Sequence, residues 1–131
     1  MSFELQSVVY VVMLLFALLV FQGGLVPLTH GFKWGLGSRD EPQLPSAMQG
    51  RAARTIANQL EGMAIYVPLL LVAHLAGVST QLTVLGAGLF LGGRVAFALC
   101  YLLGVPVLRS LSWGVSVVGI VLILIELLKA F

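Results

Sequence analysis

The chain has 131 residues, of which 60% are apolar and 9% charged, with a formal net charge of +2. Its mean hydropathy of +1.07 lies far above that of soluble domains, so residues 1–131 read as one integral membrane domain. So small a basic excess argues against nucleic-acid binding. The lone Cys100 excludes an intramolecular disulfide and, among apolar neighbours, reads as filler.

The first predicted span is Leu5 to Leu28, with Val8 to Phe21 almost unbroken and Gln22, Gly23, Gly24 and Pro27 interrupting its end. No basic segment precedes it and no A-x-A pattern follows, so it reads as a retained span rather than a signal peptide. Thr29 to Ala47 is the one long loop, broken by glycines and prolines and carrying Lys33, Arg39, Asp40 and Glu41. Ser46 is placed to cap a second span ending near Ala76. The short uncharged turn Gly77–Thr80 then forces the third span, Gln81 to Leu103, to lie antiparallel beside the second. After Gly104, Val105 and Pro106 a fourth span runs from about Arg109 to Leu128. The predicted fold is an all-α, four-transmembrane-helix up-and-down bundle. Lys33, Arg39, Arg51, Arg54 and Arg109 surround loops one and three, which places those loops on the cytoplasmic side and both termini opposite.

Function concentrates in RAARTIANQLE, Arg51 to Glu61. Arg51, Arg54, Asn58 and Glu61 share one face of a helix. The apolar run that follows, Met63 to Ala76, covers only about 21 Å, short of the roughly 30 Å of a bilayer core. Asn58 and Glu61 therefore lie at membrane depth, where an ionisable residue marks a functional site. Counted from the common turn, Glu61 is about 23 Å and Arg94 about 18 Å down their helices, a gap that an arginine side chain spans, so the two are expected to pair. By the same count Asn58, at about 27 Å, and Tyr101, at about 29 Å, share the next level. The column has arginines at its mouth and suits an anion carrying an amine and amide groups. The same residues also suit a purely structural interhelical pair and hydrogen bond.

Two segments resemble a known family. RAARTIANQLE is similar to the second-helix signature of the MAPEG proteins, the membrane-associated proteins in eicosanoid and glutathione metabolism, through Arg54, Asn58 and Glu61. GRVAFALCYLLGVPVLRSLSW, Gly93 to Trp113, resembles the third-helix and third-loop segment of the microsomal prostaglandin E synthase and glutathione transferase type, as in a bacterial-like member, through Arg94, Tyr101, Arg109 and Ser110. The resemblance implies a homotrimer with glutathione bound between subunits in a cavity open to the cytoplasm. It implies that Arg54, Asn58, Glu61, Arg94 and Tyr101 hold the tripeptide, with Arg51 added as a binding candidate from its place at the mouth of the column, and that Arg109 or Ser110 stabilises its thiolate. It further implies transferase or peroxidase chemistry on a lipophilic co-substrate arriving through membrane lipid. Phe97 stands where that type has histidine, Trp113 where it has tyrosine, and the first span lacks the basic residue some members carry there. Lowering a thiol pKa from about 8.5 by about two units takes about 2.7 kcal/mol, within reach of one guanidinium in a dry pocket.

Other residues carry less. His30 and His74 are separated by the membrane, so no metal site is expected. Tyr10, Tyr66 and Trp34 suit interfacial belts or packing, Pro68 a helix kink, the glycines of span three close packing, and Glu126 with Lys129 a solvated pair. Two alternatives stand beside the enzyme reading. One is a membrane protein that holds glutathione or a related anion without turnover. The other is a small multidrug-type transporter, which places its working carboxylate inside the first span, where this chain has none.

Overall fold

The computed structural model describes residues 1–131 and consists of helices alone: α1 Phe3–His30, α2 Phe32–Leu36, α3 Ala47–Leu75, α4 Gln81–Leu102 and α5 Pro106–Leu128. α1, α3, α4 and α5 are each long and apolar enough to cross a bilayer, which makes this an integral multi-pass membrane protein. Local chemistry fixes the helix ends. Ser46 and Gln49 form a reciprocal capping box at the start of α3, and Thr80 and Thr83 form another at the start of α4. Gly77 and Gly104 supply the left-handed backbone, φ 72° and 75°, that turns the chain after α3 and α4.

Two boundaries differ from expectation. α1 extends two residues further at each end than Leu5–Leu28, because Ser2 caps it and the Gly31 amide donates to the Pro27 carbonyl at 2.9 Å. The first loop is not wholly irregular: it contains α2, whose Trp34 indole donates to the Glu41 carbonyl at 2.7 Å and packs edge-on against His30.

Tyr66 of α3 stacks on Phe90 of α4, with ring centroids 3.8 Å apart, in a core that Val11 of α1 and Ile123 of α5 complete. α4 and α5 are in backbone contact. A Cβ on Gly86 would fall 2.6 Å from the Gly119 carbonyl, and one on Gly93 would fall 2.8 Å from that of Ser112. Only glycine permits such an approach, which is how small residues bind helices together where no water is expelled. It also brings the first turns of α5 against the last turns of α4, where the arginines lie.

Candidate functional site

At the end of the bundle that holds the first and third loops, α3 contributes Arg51 and Arg54, α4 contributes Cys100 and Tyr101, and α5 contributes Arg109. They line a cavity of about 190 Å³ completed by Gly104, Val105 and Pro106. Arg54 Nε donates to the Tyr101 hydroxyl at 2.8 Å. The guanidinium carbons of Arg54 and Arg109 lie 5.7 and 4.9 Å from the centre of the Tyr101 ring. No carboxylate lines this cavity. Arg51 Nε is buried without a partner, and the one ion pair in the chain, Lys129 with Glu126 at 2.5 Å, is at the opposite end. Three guanidiniums without a carboxylate partner share this cavity, and each fork has the shape to take a carboxylate or phosphate.

One turn deeper, a slot of about 180 Å³ opens between α3, α4 and α5, with Asn58, Glu61, Arg94 and Ser116 among its polar lining and Ile65 and Trp113 among its apolar lining. Arg94 is 2% exposed. Its Nε donates to Gln59 Oε1 at 2.9 Å, its Nη1 to Asn58 Oδ1 at 2.8 Å, and its Cζ lies 4.7 Å over the Phe97 ring. Nη2 has no partner. The slot therefore combines polar and hydrocarbon lining, a mixture suited to an amphipathic molecule.

Several expectations need correction. Glu61 and Arg94 line the same slot, but they form no ion pair. Depth along two helices sets only the level of a side chain, and at that level two neutral amides lie within reach of Arg94. Asn58 and Tyr101, expected at one level, take different partners: the first accepts from Arg94 and the second from Arg54. Ser110 is not brought into the arginine cavity. Its hydroxyl turns back to the Pro106 carbonyl at 3.3 Å, as serine does on a helix. Cys100 is more than filler, since it lines that cavity. Gln59, 1% exposed, is the residue that sequence reasoning missed; its one signal is its place between Asn58 and Glu61 on the buried side of α3.

Fold and site together define a four-span membrane protein with a cationic site at one end of its bundle. The family model described as MAPEG family matches residues 7–129, nearly the whole chain, and the chain belongs to that family. Membership suggests a glutathione-related activity of the transferase or peroxidase type. No curated protein and no solved structure gives a significant match.

Proposed function

We propose that the protein is a glutathione-dependent membrane enzyme of the transferase or peroxidase type. In this reading it works as a homotrimer, with glutathione held between neighbouring subunits and loops one and three in the cytoplasm. One observation carries the reading: within a single chain the site is unfinished. Arg54 and Glu61 line the cavity and the slot and are nonetheless exposed, although both lie on a helix that crosses the bilayer. A charged side chain left bare at membrane depth costs about 2.5–3.5 kcal/mol, so a second subunit and a polar ligand are what make this face of α3 tolerable. The arginine cavity supports an anionic ligand, and the free Glu61 carboxylate supports one that also carries an ammonium group. Glutathione has both.

The chemistry follows from the arrangement. Glutathione's two carboxylates take the place of the missing counterions, one shared by Arg51 and Arg54 in the cavity and one at Arg94 in the slot. Arg109, close over Tyr101, faces the same cavity and stabilises the thiolate over the thiol by placing positive charge beside sulfur. The thiolate then attacks an electrophilic lipid carbon, forming a C–S bond as a leaving group departs or the adjacent carbon is protonated, or it attacks the terminal oxygen of a hydroperoxide, forming an S–O bond as the O–O bond breaks and the alcohol leaves. Either co-substrate enters from the bilayer past the apolar residues of the slot. The side chain of Ser110, turned to its own helix, has no part in this account. Phe97, under the Arg94 guanidinium where the related type has histidine, favours as a second reading a protein that binds glutathione without turning it over.

Purified protein in detergent, examined for mass and for thermal stability with and without glutathione, tests the proposal. The expected result is a trimer whose unfolding midpoint rises with glutathione concentration, an effect much reduced in Arg109→Ala. A folded monomer indifferent to glutathione would overturn it.

A further inference from the structure

We infer that Gln59 is a positioning residue whose neutrality keeps the charge of Arg94 available to a carboxylate of the ligand. The inference deepens the proposed function and rests on it. Arg94 is nearly inaccessible, and a buried guanidinium usually takes a carboxylate partner. Here a carboxylate is at hand, since Glu61 lines the same slot, yet both bonds that fix Arg94 go to amide oxygens.

An amide oxygen satisfies an N–H without cancelling a charge. The guanidinium is therefore held from Nε and Nη1 while its full positive charge persists, and the buried Nη2 has no partner. Gln59 is itself fixed from the other end, because its Nε2 donates to the Val11 carbonyl of α1 at 3.3 Å. That bond settles which end of the amide faces Arg94, and it ties α1, α3 and α4 together at one point. Asn58 is constrained likewise: with Oδ1 committed to Arg94, its Nδ2 is left as a donor toward the slot. A glutamate at position 59 has the same reach and accepts the same bond, but it pairs with Arg94 as an ion and removes the charge that a ligand carboxylate needs.

The test compares wild type with Gln59→Glu, binding glutathione and its diethyl ester, in which both carboxylates are masked. Wild type is expected to prefer glutathione strongly. In Gln59→Glu the affinity for glutathione falls by about tenfold or more, while the ester binds as before, so the preference narrows by the same factor. The variant gives up the Nε2 donor to the Val11 carbonyl, so its ligand-free unfolding midpoint falls modestly, a loss shared by both ligands that cancels in the preference. If Gln59 served packing alone, the preference would be unchanged, and that result would overturn the inference while leaving the glutathione reading intact. If wild type itself binds no glutathione, the reading fails and the inference with it. Asn58→Asp poses the question through the second amide and carries the decision should Gln59→Glu not assemble; an unchanged preference there also counts against it.

Discussion

The two ends of the bundle treat polar groups in opposite ways. At the end formed by the N-terminus and the α3–α4 turn, Glu4 is 7% exposed, and its carboxylate accepts from Ser79 Oγ at 2.7 Å and from Thr83 Oγ1 at 3.0 Å. Beside it the Ser7 hydroxyl donates to the Glu4 carbonyl at 2.5 Å and is hydrogen-bonded to the Tyr66 hydroxyl. That cluster contains no unpartnered buried side-chain atom, and its cavity, about 20 Å³, has room for one water at most. The opposite end holds both unpartnered buried nitrogens of the chain, Arg51 Nε and Arg94 Nη2, with two larger cavities and a free carboxylate. A polar cluster that closes on itself holds helices together, whereas one left open inside a membrane is completed from outside.

Substitutions at the two ends test this contrast. The largest effect belongs to Arg109→Ala, which removes the charge that stabilises the thiolate. Turnover of a small electrophile by glutathione is expected to fall about a hundredfold, the kinetic counterpart of about 2.7 kcal/mol, with little change in the unfolding midpoint of the ligand-free protein. Glu4→Ala should do the reverse. Ser79 and Thr83 lose their acceptor at a cost of about 1–3 kcal/mol in unfolding measurements, while glutathione affinity stays within twofold. A Glu4 variant that weakens glutathione binding would end the distinction between the two regions. Tyr101→Phe removes only the acceptor of Arg54, so about 1 kcal/mol of ligand affinity, roughly fivefold, should be lost in a binding titration. Smallest of all is Ser110→Ala, whose rate should remain within about twofold of wild type because the hydroxyl is spent on Pro106.

How far the amino-acid sequence reaches can be seen residue by residue. The spans were legible because bilayer thickness leaves apolar runs few options, and the capping of α3 by Ser46 followed from side-chain chemistry next to a helix start. The gathering of Arg51, Arg54, Tyr101 and Arg109 was legible too, because the short turn after α3 gives two helices a shared origin for measuring depth. Partners were not. Whether Arg94 meets Glu61 or Gln59 depends on rotation about the helix axes and on rotamer, neither of which depth contains. Gln59 is inconspicuous in the sequence because an uncharged amide beside Asn58 and Glu61 lacks a charge to flag it. Glu4 is so because, read linearly, it precedes a span, while in the fold it lies under the α3–α4 turn.

The central claim is that the open end stabilises the thiolate of bound glutathione, and the most direct measurement is the ultraviolet thiolate absorbance of glutathione titrated into the folded oligomer near neutral pH. A saturable band is predicted with wild type, persisting well below the pH at which free glutathione ionises and missing in Arg109→Ala. An intact oligomer that binds glutathione and shows no such band would contradict the account.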